Sequence, residues 1–175
     1  MRLIKPVLIG FTGLSLVLIA ISSLMPGEVM TSKWVMVHGE TAPVLTEIRD
    51  LRKWPEWNGL LAGVKDFSVD LKPGQTDTGS TLSWTDQRGG KNALIVTENN
   101  EKGIVTTMYM GKGQALESGF SIEKRQADSV QVVWFIIEKL KWYPWEKFYG
   151  MMAGDMKGPL MQQSLDKLKA RLEGE

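Results

Sequence analysis

Hydrophobic and polar positions divide the chain into an apolar start and a longer part with short periods. No charged residue occurs between Pro6 and Met25. A helix needs about 20 apolar residues to cross the hydrocarbon layer of a bilayer, and residues 7–25 supply such a run. The pattern therefore predicts one transmembrane helix, with an anchor and short linker over residues 1–30 and a folded domain over residues 31–175.

A cleaved signal peptide is the alternative, because it shows the same order of basic start, apolar middle and small-residue exit. The apolar run is long for that purpose, and the Leu24-Met25-Pro26 stretch is a poor cleavage site. A second candidate cleavage site lies at Ala20-Ile21-Ser22. The length of the run and its flanks favour an uncleaved anchor.

The charges on either side of the apolar run predict its orientation. Arg2 and Lys5 precede the run, whereas Glu28 follows it. Flanks rich in Lys and Arg tend to stay in the cytoplasm, so the N-terminus is predicted to be cytoplasmic. In a bacterium the chain would then be a single-pass protein of the inner membrane with a periplasmic domain.

Alternation with period two predicts strands through the middle of the chain. Phe67, Val69 and Leu71 alternate with polar residues, and similar alternation recurs in short segments as far as about residue 139. An earlier strand, rich in β-branched and aromatic residues, covers residues 32–40. Many short segments of this kind predict a meandering antiparallel sheet with one buried face.

Helical spacing predicts two short helices after the first strand and one long helix at the end. The short helices cover residues 41–51 and a turn around residues 55–60. The last segment, residues 145–172, repeats apolar side chains at helical spacing. These are Phe148, Met152, Met156, Leu160, Leu165, Leu168 and Leu172. Because no other large element is available, this helix must cover the buried face of the sheet, which makes an α+β domain.

Gly150, Gly154 and Gly158 recur every four residues, and therefore share one face of the predicted long helix. A glycine inside a helix costs about 1 kcal/mol relative to alanine, so something should offset the loss. Close packing of the helix against the sheet would do so, as would cavity space left by the missing side chains.

Composition excludes several classes of site. The 175 residues contain no cysteine, which removes disulfides, thiol catalysis, thiolate zinc sites and iron–sulfur clusters. His38 is the single histidine, so a His-rich metal site is excluded, and neither a metal nor a cofactor is predicted. The net charge is +1 and no basic stripe stands out, which gives no support for nucleic-acid binding.

Three stretches resemble the START-like superfamily, in its polyketide-cyclase/dehydrase-like (SRPBCC) branch. They are Thr41-Ala42-Pro43, "DLRKWPEWNGL" at residues 50–60, and "FYGMMAGDMKGPLMQQSLDKLK" at residues 148–169. The resemblance covers about residues 32–173. It implies a helix-grip fold, in which a curved antiparallel sheet of about seven strands wraps around a long C-terminal helix. Several members of this branch carry an N-terminal membrane segment.

In such a fold a cavity lies between the sheet and the long helix. Sheet parity and helix spacing predict its lining as Trp84, Met108, Met110, Phe120, Trp134 and Ile136 from the sheet, and Phe148, Met152 and Met156 from the helix. Trp54 and Trp57 stand in the corner after the first helix, and Trp57 is predicted to reach the entrance. Methionines adapt to irregular apolar ligands, although buried Met and Trp are also ordinary core residues.

The resulting interpretation is a membrane-anchored START-like domain that binds a hydrophobic small molecule or lipid, with no defined reaction. One alternative is a polyketide cyclase/dehydratase-like or hydrolytic enzyme. It would use His38 near the cavity mouth as a base, or a cavity carboxylate such as Glu138. Another is a protein-interaction module with a packed interior, which acts through the apolar outer face of the last strand at Val133, Phe135 and Ile137. The oligomeric state stays open.

Overall fold

Seven strands form one antiparallel sheet, in the spatial order β1-β7-β6-β5-β4-β3-β2. The computed structural model describes residues 4–62, 64, 66–72, 77–86, 89–111, 115–126 and 128–174. The strands are β1 (Glu28–His38), β2 (Phe67–Asp70), β3 (Thr81–Thr85), β4 (Lys91–Asn100), β5 (Gly103–Met110), β6 (Ala115–Gln126) and β7 (Ser129–Lys139). From β2 to β7 the strands meander, and β7 then pairs with β1.

The helices are α1 (Ile4–Leu24), α2 (Thr41–Arg49), α3 (Trp54–Trp57) and α4 (Pro144–Glu173). Two short helices after the first strand, six more strands and a long final helix make up the predicted α+β helix-grip arrangement, which is confirmed. β1 starts at Glu28, so this strand runs across the predicted boundary between residues 30 and 31.

Alternate residues of β7 form the floor of the core. Val130, Val132, Trp134 and Ile136 are buried, whereas the residues between them are half-exposed. Successive side chains of a strand point to opposite faces, so one face of the sheet is turned toward α4. Burying one large aliphatic or aromatic side chain contributes about 1.5–3 kcal/mol, which makes this face the main source of stability.

Gly103 ends the turn between β4 and β5 with a φ of +148°. A Cβ atom at this position would collide with the backbone carbonyl oxygen of Phe120 on the neighbouring strand. Only glycine fits both the backbone angle and the close approach. The turn thereby holds β5 tightly against β6, which positions the later residues of β5 on the inner face.

Small residues let α4 approach the sheet closely. Gly150, Ala153 and Gly158 are buried on its inner face. A Cβ atom at Gly150 would collide with Leu140, and one at Gly158 would lie 2.9 Å from Lys33 Cε. Close packing therefore accounts for these two glycines, and the first half of α4 presents a face of small side chains to the sheet.

The corner between α2 and the sheet is built from short turns with side-chain caps. Asp50 accepts a hydrogen bond from the backbone N–H of Arg52, and Asn58 accepts one from the N–H of Leu60. The hydrogen bond from the Arg52 guanidinium also holds the pKa of Asp50 below its usual value. The caps supply partners to backbone donors that a single helical turn leaves unpaired, so the short α3 stays fixed between them.

α1 leaves almost all of its side chains exposed, but its C-terminal end is attached to the domain. The buried Ser22 donates a hydrogen bond to the carbonyl of Trp142 (2.8 Å), and Lys147 Nζ donates one to the carbonyl of Pro26 (2.6 Å). The helix is long and apolar enough to cross a membrane, a test that an N-terminal signal sequence also passes.

Candidate functional site

A cavity of about 380 Å³ lies between the inner face of β5, β6 and β7 and the first half of α4. Its lining combines apolar side chains with a charged rim. The lining residues are Leu60, Met108, Met110, Leu116, Ser118, Ile136, Glu138, Lys139, Leu140, Lys141, Glu146, Tyr149 and Lys157. The volume falls within the range of about 300–1,000 Å³ that is usual for small-molecule sites.

Strand parity places three of the predicted ligand-binding residues in this cavity. Met108 and Met110 come from β5 and Ile136 from β7. Met108 and Ile136 are buried at its floor, and Met110 is 38% exposed at the end of its strand. Period two therefore identifies the inner face of these strands, but it does not separate cavity-lining residues from packed core residues.

Aromatic rings fill the core beside the cavity. Phe120 lies at the centre, with its ring centroid 5.5 Å from those of Trp54 and Trp57 and 5.2 Å from that of Trp134. All four side chains are about 1% exposed. Trp134 Nε1 donates a hydrogen bond to Ser118 Oγ (2.9 Å), and Ser118 lines the cavity. Phe120 and Trp134 were predicted to line the cavity, but neither belongs to its lining, because both rings are buried in the aromatic core beside it.

Trp57 is not at the cavity entrance, contrary to the prediction from the corner sequence. Trp54 and Trp57 occupy one helical turn, α3, and residues three apart in a helix share a face. Both rings consequently point into the core, 5.7 Å apart between centroids. Trp54 Nε1 donates to the carbonyl of Ile48 (2.8 Å), whereas Trp57 Nε1 is buried without a hydrogen-bond partner among the described residues.

The helix side of the predicted lining faces the opposite way. Phe148, Met152 and Met156 are 41%, 61% and 60% exposed, and none of them lines the cavity. The inward orientation predicted for these three residues is therefore wrong. The glycines on the other face bring α4 too close to the sheet for large side chains to fit between them, so the apolar stripe lies outside.

A buried ion pair crosses the cavity from sheet to helix. Glu138 Oε1 on β7 lies 2.5 Å from Lys157 Nζ on α4, and the two side chains are 11% and 20% exposed. Glu138, the carboxylate named as a candidate from the sequence, therefore lies in the cavity. Lys139, Lys141 and Glu146 add further charge at the mouth. The site offers an apolar floor together with paired charges that could receive a polar group.

His38 lies away from the cavity. It ends β1 on the outward side of the strand, where its side chain is exposed, and its backbone N–H donates to Glu173 (2.8 Å). Thr31, Val35 and Val37 are the buried residues of β1, so odd-numbered positions face inward. The prediction that His38 stands near the cavity mouth is wrong for this reason.

Trp84 lies in a different concavity. It is buried in the wall of a more open groove of about 590 Å³ along the ends of β2, β3, β4 and β5. Phe67 and Tyr109 line the same groove and are 41% and 44% exposed. This groove is more open than the cavity beside α4, so the more sheltered cavity with its apolar floor is the better candidate for a binding site.

Several cavity residues were not predicted. Ser118 shares its parity with Phe120 on β6, so strand alternation contained the signal. Leu140 and Lys141 come from the connection into α4, where period two has already ended, and Tyr149 comes from the second turn of α4. Lys157 was assigned to the polar, solvent-facing side of the helix because of its charge, and only the tertiary structure brings it to Glu138.

Ion pairs close the opposite end of the domain, where α4 meets the corner. Arg171 pairs with Glu47 (2.9 Å) and with Glu56 (2.5 Å), and Lys53 also pairs with Glu47 (2.8 Å). Burial lowers the pKa of Arg171, but the hydrogen bond and charge of Glu47 and the charge of Glu56 outweigh it, so the net change is upward.

Within the described ranges no group of three or more His, Asp or Glu residues is placed to hold a metal ion.

The sequence matches no protein-family model and no curated protein. Solved structures nevertheless share the architecture. A START superfamily protein from Mycobacterium smegmatis is 21% identical with a TM-score of 0.62, and the match covers 83% of this chain and 97% of that protein. The Zhui aromatase/cyclase from Streptomyces sp. R1128 is 13% identical with a TM-score of 0.60, covering 83% and 94%.

A third structure, truncated norcoclaurine synthase from Thalictrum flavum, is 12% identical with a TM-score of 0.60, and covers 85% of this chain and 95% of that protein. The identities are low, so the likeness concerns the backbone rather than the chemistry of any site. With a seven-stranded antiparallel sheet and a long helix across its inner face, the chain has the START-like helix-grip fold.

Proposed function

We propose that this protein is a membrane-anchored START-like domain that binds an apolar small molecule or lipid in the cavity between α4 and the sheet. The observation that carries the proposal is the cavity of about 380 Å³ with an apolar floor and a charged rim. Enclosed apolar sites with a few polar groups are typical of ligand pockets. A fully packed interaction module would have no such space.

Burial of apolar surface supplies the binding energy. Each methylene group that moves from water into the cavity contributes about 0.8 kcal/mol, so a short acyl or polyketide-like chain suffices for stable binding. Met108 and Met110 adapt their flexible side chains to irregular shapes. The Glu138–Lys157 pair and Ser118 lie on the cavity wall, where they can hydrogen-bond one polar group and orient the ligand.

The anchor in this proposal is α1. Its length and apolar surface suit a bilayer span, and Ser22 in its last turn and Pro26 just after it are hydrogen-bonded to the domain. A signal peptide is removed after export, so it has no use for contacts with the mature domain. These contacts favour retention of α1 and a domain held next to the membrane.

Native mass spectrometry of the full chain, released from lipid nanodiscs, tests the proposal. We expect a bound apolar molecule on a large fraction of chains, still present after the annular lipids are stripped, and identifiable by solvent extraction. A chain that carries no molecule after delipidation, and takes up none when fatty acids are added, would contradict the proposal.

An enzyme remains the second candidate because Glu138 is a buried carboxylate in the cavity. The ammonium group of Lys157 balances the negative charge of this carboxylate. Such a pair can hold a polar group of a ligand, and it can also take part in proton transfer. The two functions differ in one result. A catalytic acid or base at Glu138 requires turnover of the extracted molecule that Glu138→Gln abolishes, whereas a binding site leaves that molecule unchanged.

A further inference from the structure

The first half of α4 exposes a continuous apolar stripe. Trp145, Phe148, Tyr149, Met152 and Met156 recur at helical spacing on its outer side, and each is at least 41% exposed. Along the helix the stripe extends for about 16 Å at 1.5 Å per residue. Large apolar patches of this kind on a folded domain mark a surface that is covered in its normal setting.

Aromatic side chains extend the stripe into the preceding loop. Trp142 is 72% exposed, and its ring meets that of Tyr143, which stacks on Trp145 at 4.5 Å between centroids. Lys141 Nζ lies 5.7 Å above the Tyr143 ring. Trp and Tyr with a neighbouring Lys are the residues that proteins place at the boundary between lipid and water.

The end of α1 is fixed beside this surface. Ser22, in the last turn of α1, is hydrogen-bonded to the carbonyl of Trp142. Lys147, inside the first turn of α4, reaches the carbonyl of Pro26, and the N–H of Leu140 reaches the carbonyl of Gly27 (2.8 Å). The stripe therefore begins where the apolar helix ends, and not on a remote side of the domain.

We propose that the stripe and Trp142 lie in the interfacial layer of the same bilayer that α1 spans, so that the first half of α4 lies at the membrane surface and the second half, beyond Met156, leaves it. The inference relies on the proposed function in one respect, namely that α1 is retained as a span. A bilayer is favoured over a protein partner because the exit of the span brings this face to the lipid surface without any further component. Exposed Lys139 and Lys141 beside the stripe suit anionic head groups.

The cavity mouth belongs to the same region. Leu140 and Lys141 line it from the loop, and Tyr149 belongs both to the mouth and to the stripe. A stripe seated in the interface places the mouth at the depth of the lipid head groups. The ligand class that follows is an amphiphile of the bilayer, which enters with its apolar chain toward Met108 and its polar end toward the Glu138–Lys157 pair.

Depth-dependent quenching in the full chain tests the proposal. The chain has no cysteine, so Met152→Cys and Gln163→Cys each provide a single site for an environment-sensitive fluorophore. Gln163 is exposed and lies on nearly the same helical face as Met152, eleven residues farther along α4, or about 16 Å. The labelled proteins are placed at low density in vesicles of phosphatidylethanolamine and phosphatidylglycerol that carry nitroxide lipids.

We expect head-group and shallow-chain nitroxides to quench the probe at position 152 several-fold more strongly than the probe at position 163. Equal and weak quenching at both positions would overturn the proposal. A probe at position 152 that is shielded from water but not quenched would also overturn it, because a second copy of the chain would then cover the stripe.

Failure here is distinguishable from failure of the proposed function. The intact mass of the chain in the same vesicles reports whether α1 is present, and native mass spectrometry reports the cavity ligand. A retained ligand with an unquenched probe at position 152 rejects only the membrane contact of α4. Strong quenching at position 152 in a chain without a ligand supports the membrane contact and rejects the binding function.

Discussion

Replacement of Phe120 by alanine is expected to lower the free energy of unfolding by about 3–5 kcal/mol. The Phe120 ring contacts Trp54, Trp57 and Trp134 and is only 1% exposed. Its removal leaves a void among rigid indoles that have little freedom to collapse, so the cavity term adds to the lost transfer energy. Chemical denaturation of the full chain in detergent, followed by tryptophan fluorescence, measures the change.

Phe67→Ala is the matched control because Phe67 is 41% exposed on the edge strand β2. We expect this variant to change the free energy of unfolding by about 1 kcal/mol or less. Equal losses in the two variants would show that the aromatic cluster does not hold the corner to the sheet. The corner would then need another source of stability, such as the Glu47–Arg171 ion pair.

Replacement of Leu116 by tryptophan is expected to raise the dissociation constant of the cavity ligand about tenfold or more, which corresponds to about 1.4 kcal/mol. Leu116 is half-buried on β6, opposite Met108 on β5, and both side chains line the cavity. An indole at this position occupies space that the ligand would use, whereas the fold loses little because the cavity can receive the ring. Native mass spectrometry with added fatty acid reports the bound fraction.

Glu117→Trp supplies the control one residue farther along the same strand. Glu117 is exposed on the outer face of the sheet, so the same indole leaves the cavity empty. The expected result is wild-type ligand binding in this variant. If both variants bind the ligand equally well, the ligand lies somewhere other than this cavity.

The sheet could be predicted from the sequence because the alternation of apolar and polar residues in a strand has only two possible phases. The alternation of Met108, Met110 and Ile136 identified the cavity side of β5 and β7. The long helix was equally clear in its extent, predicted over residues 145–172 and found over Pro144–Glu173. Local periodicity sets these features, so no knowledge of distant contacts was needed.

The faces of α4 could not be predicted in the same way. Hydrophobicity marks the stripe of Phe148, Met152 and Met156 as the buried side, but glycines control how near the helix comes to the sheet. A face of small residues carries little hydrophobic signal and still packs closely against Leu140 and Lys33. An apolar helix face is therefore not always the face that is buried in the protein.

The corner "DLRKWPEWNGL" gave a similar lesson about spacing. Trp54 and Trp57 were expected to separate across Pro55, one toward the core and one toward the entrance. Pro55 instead sits in the first turn of α3, where its fixed φ favours a helix and brings both indoles to one side.

The ion pair of Glu138 and Lys157 joins two residues that are 19 positions apart in the sequence. Local periodicity could not predict it, because the contact forms only when α4 packs against β7.

The central claim is that an apolar ligand binds between α4 and the sheet, and NMR of methyl-labelled methionine in the full chain tests it most directly. On addition of oleate we predict shifts in the methyl signals of Met108 and Met110, which line the cavity, and none for Met161, which is fully buried outside its lining. Unchanged signals from Met108 and Met110 at saturating oleate, or shifts confined to exposed methionines such as Met30, would contradict the claim.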